Sequence, residues 1–208
     1  MDREVLIQDV RHILDEQELQ GNNDISIEDN LPIDDRIMSL YGSVFNEVQR
    51  ISPQSQLKLY PLTGEHTPDI DYGTGEISLP CDYLRLGRLR MKGWRRTVTR
   101  VVSEDTPEAL YQLNKETRGG CVDPVVVESC DKSRLWYYSL PCWYESHDIE
   151  EASYVRKSKG PEEDYLGAES YDLLRWMLAR ETAHTLGRDT NNMTNIIKEK
   201  IQTLDGRS

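Results

Sequence analysis

Long apolar runs, paired cysteines and phenylalanine are all scarce in this 208-residue chain. The longest wholly apolar run is about four residues, far short of the ~20 that a membrane-spanning helix needs, so no transmembrane helix is expected. The first residues, MDREVLIQDVRHIL, put acidic side chains where a signal peptide carries a basic start and an apolar centre. A helix, in a protein made and folded in a cytoplasm, is expected there. Hydrophobic residues make up 37%, below the ~45–50% of ordinary domains, which predicts a thin core and some support from neighbouring molecules. Cys81, Cys121, Cys130 and Cys142 are separated by 40, 9 and 12 residues with no C-x-x-C pair, and His12, His66, His147 and His184 are scattered. Structural zinc sites usually bring their ligands as close pairs, so four free, mostly buried thiols are expected instead. One Phe stands against eleven Tyr and four Trp. Tyr is at home half buried with a wet hydroxyl, which suits both interfaces and ordinary amphipathic strands.

Catalytic signatures are missing as well. The chain has no G-x-S-x-G, H-E-x-x-H, Walker A or G-x-G-x-x-G motif. Gly73-Thr74-Gly75 matches a fragment of the last but precedes a strand pattern, so it reads as a turn. Asp69, Asp71 and Glu76 lie close in sequence, yet a calcium loop needs more ligands in fixed order. They read as solvated turn carboxylates, as do Glu150-Glu151 and Glu162-Glu163-Asp164. His184, one helical turn from Glu181, reads as an ordinary surface or half-buried histidine. No catalytic residue, metal or cofactor is expected. The enzymatic alternative is a small hydrolase built on His66, Asp69 and Asp71.

The formal net charge of −12 argues against tight binding to nucleic acid, which draws its affinity from Lys and Arg that release counterions. The charge is uneven. Tyr83 to Ser103 hold seven basic residues and no acidic one (Arg85, Arg88, Arg90, Lys92, Arg95, Arg96 and Arg100), which leaves about −19 on the remainder. The face made by Arg88, Arg90, Lys92, Arg95 and Arg96 has three readings: a solvated face, a contact with acidic surfaces of neighbouring subunits, or a surface turned to DNA. Only Trp94 is at hand to stack on bases, and no groove-reading helix of the usual kind is evident.

Hydrophobic spacing predicts helices over residues 3–19 and 34–50, the second with Ile37, Met38, Tyr41, Val44, Phe45 and Val48 on one line and closed by Ser52-Pro53. The period then changes to two. Strands are predicted at 56–60 (QLKLY), 76–79, 84–92, 97–102, 124–128, 134–140 and 151–156, with a loop over 61–71 and Pro80 breaking its strand or marking an edge. Leu84 and Leu86 fall out of phase with Leu89 and Met91, so a left-handed Gly87 is expected to form a bulge that keeps all four on the core side. Residues 97–102 are expected to pair back as a hairpin after the Lys92-Gly93-Trp94 turn. Thr106-Pro107 starts a short helix. After the charged connector 157–164, two helices are predicted over 170–186 and 190–204, the first closed by Gly187. The last carries Met193, Ile196, Ile197, Ile201 and Leu204. The expected fold class is α+β: terminal helices forming a small helical bundle around an inserted antiparallel β-module, in one domain divided as 1–53, 54–156 and 163–204.

From the second helix onward, the order of segments resembles the head–tail adaptor (ring) proteins of tailed bacteriophages, and within them those beneath the portal in crAss-like phages. The segments are Ser52-Pro53, LPCDYLRL, the KGWRR turn, TPEALYQLNKETRGG, PVVV, LWYYSLP and EASYVRK, then the helical tail. They cover about four-fifths of the chain, and none is diagnostic alone; residues 22–30 and 61–71 lie outside the likeness. The resemblance implies a structural virion protein of the head–tail connector, assembled in the host cytoplasm as a twelve-fold ring. Its partners would be the portal protein, a tail or second ring protein, and genomic DNA passing through the lumen without sequence-specific binding. It also implies that the terminal helices, with Met193, Ile196, Ile197, Ile201 and Leu204, face the portal. The alternative within the virion is another tail-completion or stopper protein.

Overall fold

The computed structural model describes residues 1–20, 33–69, 72–140 and 147–205, with the side chains of 16–20 left out. In chain order its elements begin with α1 (Arg3–Gln20), α2 (Ile33–Ile51), a 3-10 turn (Gln54–Gln56), β1 (Tyr60–Pro61), β2 (His66–Asp69), β3 (Thr74–Ser78) and β4 (Tyr83–Met91). They continue with β5 (Val102–Ser103), α3 (Pro107–Leu113), β6 (Val126–Glu128), β7 (Arg134–Tyr137), β8 (Ile149–Arg156), α4 (Ala168–Thr185) and α5 (Asn191–Asp205). The class is α+β, with helices at both ends of the chain. Two compact units emerge, Met1–Lys58 with Lys157–Ser208, and Leu59–Arg156. No described helix is long and apolar enough to cross a membrane.

In the helical unit, residues at i, i+3 and i+4 spacing on four helices share one core. Leu6, Val10 and Ile13 of α1 meet Ile37, Tyr41 and Phe45 of α2, Leu173, Leu174 and Leu178 of α4, and Met193, Ile197 and Leu204 of α5. The Asp2 carboxylate caps α1 by accepting the Glu4 and Val5 amides at 2.8 and 3.2 Å. Gly187 takes φ +71° after α4, and the Arg188 amide returns to Ala183 O at 3.0 Å, closing the helix as expected. The connector is not a solvated acidic stretch, because Asp164 is buried. Its carboxylate accepts Tyr41 Oη (3.1 Å), Ser158 Oγ (2.5 Å) and the amides of Lys159 (3.1 Å) and Gly160 (3.3 Å), while Ser158 N–H donates to Asn46 Oδ1 (2.8 Å). Four donors converging on one carboxylate offset the cost of its burial, which spacing along the chain does not reveal.

The β unit holds a three-stranded sheet, β1-β8-β4, and a five-stranded sheet, β2-β3-β7-β6-β5. Ile77, Leu86, Leu89, Met91, Trp94, Leu135 and Tyr137 are among the residues of its core. The long β4–β8 pairing changes register between Leu86 and Arg88, and Leu84, Leu86, Leu89 and Met91 are all buried, as the phase shift predicts. Gly87 is not left-handed, however. A Cβ there would lie 2.9 Å from Leu59 Cδ2 and 3.0 Å from Ser153 Oγ, so glycine is needed for close approach rather than for a positive φ.

Four expectations are corrected. Residues 56–60 do not form a strand: after the 3-10 turn, Leu57 makes one bridge to Leu166 and only Tyr60–Pro61 pair, with β8. The expected loop 61–71 contains β2, the open edge of its sheet. Because the Ser78 amide donates to Glu65 O (2.8 Å), alternation turns the Pro68 position outward, where a missing N–H blunts the edge. The hairpin over 97–102 is reduced to a bridge between Leu89 and Val98. Trp94 is buried and Arg95 N–H goes to Cys121 O (2.8 Å), which draws the chain off β4. It rejoins as β5, parallel to β6, so the module is not wholly antiparallel. Finally, Cys81 and Cys130 are exposed and Cys121 is half-buried, against the expectation of buried thiols; Cys142 lies outside the described residues.

Asp164→Ala is expected to lower unfolding stability by about 2–4 kcal/mol, since it strands four donors at a buried position, whereas exposed Glu162→Ala stays within about 0.5 kcal/mol. Urea melts of the two variants check the difference.

Candidate interaction surfaces

The basic face predicted on β4 is present but paired within the chain. β8 and the residue before it carry Asp148, Glu150 and Glu151 alongside β4. Arg88 Nη1 lies 3.4 Å from Glu151 Oε1, Arg90 Nε 2.9 Å from Glu150 Oε2, and Lys92 Nζ 3.7 Å from Asp148 Oδ2. The Arg90 contact is an ion pair in which the Nε–H is not aligned for a hydrogen bond. Each of these cations is about half exposed, so the pairs are solvent-screened. Arg96 meets Asp123 at 3.5 Å with both side chains largely in water. Arg95 is exposed and has no side-chain partner among the described residues. The ribbon is thus not one surface: its β4 part is locally neutralised, and its outward charge sits past the Gly93 turn.

The residues expected to face the portal are mostly internal. Met193, Ile197 and Leu204 are buried in the helical core, while Ile196 and Ile201 are half-buried. Helical spacing located the apolar line of α5 correctly, but that line is used against the chain's own helices. The solvent face of α5 is polar, with Asn195, Lys198, Glu199 and Gln202 exposed.

The hydrolase residues do not converge. His66 and Asp69 lie three positions apart on β2, which sends them to opposite faces, and Asp71 lies outside the described residues. His66 Nε2 is 2.7 Å from Tyr137 Oη. Burial pushes the Tyr137 phenol pKa well up, so it stays protonated beside the imidazole. Burial, then repulsion from His147, holds His66 below the usual histidine range, against a smaller pull from Asp148. Gly75 makes the pairing possible: a Cβ there would sit 2.2 Å from Tyr137 Oη. Glu76 pairs with Arg134 at 3.3 Å and Glu181 with Arg180 at 2.6 Å; His184 is exposed at the end of α4. Among the described residues, no group of three or more His, Cys, Asp or Glu is placed to hold a metal ion.

One surface escaped the sequence reading. Thr106 caps α3, its side chain accepting the Ala109 amide, and Pro107 starts the helix. The helix then turns its small and polar residues inward and its large apolar ones outward. Ala109 and Gln112 are buried, while Leu110, Tyr111 and Leu113 are 64%, 60% and 68% exposed. Gln112 Oε1 accepts the Gly119 amide at 2.9 Å, which anchors the inverted orientation. TPEALYQL did not announce it: Leu113 is the i+4 neighbour of Ala109, so the two faces adjoin and spacing does not say which one turns outward.

No protein-family model matches the chain, and no curated protein matches it in sequence.

Two outcomes follow. A double-mutant cycle on Arg90 and Glu150 is expected to give a coupling of about 0.5 kcal/mol at low salt that fades in high salt, as for other exposed pairs. Because burial lowers the proton affinity of His66 in the folded chain, the unfolded chain binds more protons as pH falls through the ordinary histidine value of about 6.5. The His66 contribution is therefore complete above that pH and is lost below it, so stability falls between pH 7.5 and pH 5.5 less steeply in His66→Gln than in the parent.

Proposed function

We propose that this chain is a structural subunit of the head–tail connector of a tailed phage. It would assemble as a ring beneath the portal, join the portal to the tail, and surround the path of the genomic DNA. The observation that carries this reading is the ordered series of segments from Ser52-Pro53 to the C-terminal helices. The α+β arrangement, with helices from both ends of the chain sharing one core and the β unit inserted between them in sequence, is compatible with it.

The physical chemistry supports a conduit better than a DNA-binding protein. A net charge of −12 repels phosphates, and the β4 cations are already matched by Asp148, Glu150 and Glu151. DNA can slide past such a wall without sequence-specific contacts. The partners under this proposal are other copies of the chain, the portal protein, and a tail or second ring protein, with no membrane and no cofactor. Since Met193, Ile197 and Leu204 serve the internal core, a portal contact through α5 would have to use its polar face together with Ile196 and Ile201.

Quantitative mass spectrometry of purified virions, with the portal protein as internal standard, tests this directly. A ratio near one to one is expected for a portal-matched ring. Absence from the particle overturns the proposal, and a clearly different ratio assigns the chain to another tail-completion or stopper position.

A further inference from the structure

We infer that the N-terminus of α4 binds a single internal water molecule, held between Gln56 and Ser170, and that this water supplies the cap the helix otherwise lacks. The inference stands on the helical unit alone and does not depend on the ring-adaptor proposal.

α4 starts at Ala168 after Gly167, whose φ of −66° and ψ of 164° are ordinary for an N-cap. Glycine brings no side-chain oxygen to cap the first turn. An oxygen nevertheless stands where a cap would put one. A Cβ on Gly167 would lie 1.9 Å from Gln56 Oε1, close to the place of the hydroxyl of a capping serine. The 3-10 turn that carries Gln56 is fastened at this end of α4. Gly167 N–H donates to Gln56 O at 2.8 Å, and Leu57 bridges to Leu166. Gln56 comes from the chain segment before the β unit and Gly167 from the segment after it, so the two passes of the helical unit meet here.

The polar groups at this end are not met by one another. Gln56 Oε1 is buried and has no hydrogen-bond partner. Ser170, in the first turn of α4, is 0% exposed, and its Oγ has no partner either. Its amide, a donor that an N-cap oxygen ordinarily receives, makes no hydrogen bond among the described residues. Ser170 is the i+3 neighbour of Gly167, which puts its groups on the same side of the helix start as Gln56 Oε1, within reach of one bridging molecule. Buried polar groups left unmet are costly, and an internal water making about three hydrogen bonds is the usual remedy.

The chemistry selects water over an ion. The positive end of the helix dipole disfavours a cation. An anion would have to face the Gln56 carbonyl oxygen in a buried place. Water accepts the Ser170 amide and donates to Gln56 Oε1 and Ser170 Oγ, meeting all three groups at once.

A high-resolution crystal structure of the full chain tests this. One water within hydrogen-bonding distance of Gln56 Oε1, Ser170 N and Ser170 Oγ is expected. An ion in that place, or a Gln56 side chain bonded directly to α4 with nothing between, overturns the inference. In solution, oxygen-17 relaxation dispersion counts long-lived internal waters. Gln56→Ala with Gly167→Ser removes the Gln56 oxygen, makes room for a Cβ and supplies a direct cap. That double variant is expected to hold about one long-lived water fewer than the parent, and to melt at a higher Tm than Gln56→Ala alone. Gln56→Leu, of similar volume but without the acceptor, is expected to lose the same water and keeps the count measurable if the double variant does not fold. A count equal to the parent's in either variant means that no water is held there by Gln56.

Discussion

The pairing of β4 with β8 is the constraint on which the β unit depends. It is the longest ladder among the described residues, and it aligns Tyr83–Met91 against Ile149–Arg156 through repeated register shifts. Those shifts keep Leu84, Leu86, Leu89 and Met91 buried and place Arg88, Arg90 and Lys92 beside Glu151, Glu150 and Asp148. The same ladder thus builds the core on one side and cancels charge on the other. A basic strand that would otherwise compete for phosphates becomes a neutral, solvated face, and the accessible cations move to the segment beyond the Gly93 turn.

The near-absence of phenylalanine has its explanation in tyrosine hydroxyls donated to carboxylates. Tyr41 donates to Asp164 and Tyr171 to Asp9 in the helical unit, and Tyr83 to Glu128 and Tyr154 to Asp82 in the β unit. Burial and the adjacent carboxylates push the Tyr154 and Tyr171 phenols up to about 12, and those of Tyr41 and Tyr83 higher still, so all four remain protonated donors. Each ring fills apolar space while its tip satisfies an acid, which lets an acidic chain with 37% hydrophobic residues draw carboxylates into its packing. Phenylalanine in the same places would leave those carboxylates short of a donor.

Two surfaces differ from what was expected of them, for one reason. Helical periodicity says that a helix has an apolar side, and not which neighbour that side will meet. In α5 the apolar line of Met193, Ile197 and Leu204 turns to the chain's own core. In α3 a competing hydrogen bond at Gln112 reverses the usual orientation, and Leu110, Tyr111 and Leu113 point to solvent. The first removes an expected contact surface, and the second leaves an apolar face in solvent.

Local chemistry by itself determined a good deal of this protein. Periodicity placed the four long helices, with Gly187 closing α4, and the phase slip at Gly87 marked the bulge. Thr106-Pro107 marked the start of α3. These are legible because each depends on residues within a few positions of one another. Tertiary structure alone decided the rest. That Asp164 is a buried anchor, that Arg95 leaves β4 for Cys121 and so replaces a hairpin with a parallel strand, and that the basic ribbon is neutralised all depend on partners far away in the chain. A residue type announces the bond it can make; only the folded chain determines which distant group makes it.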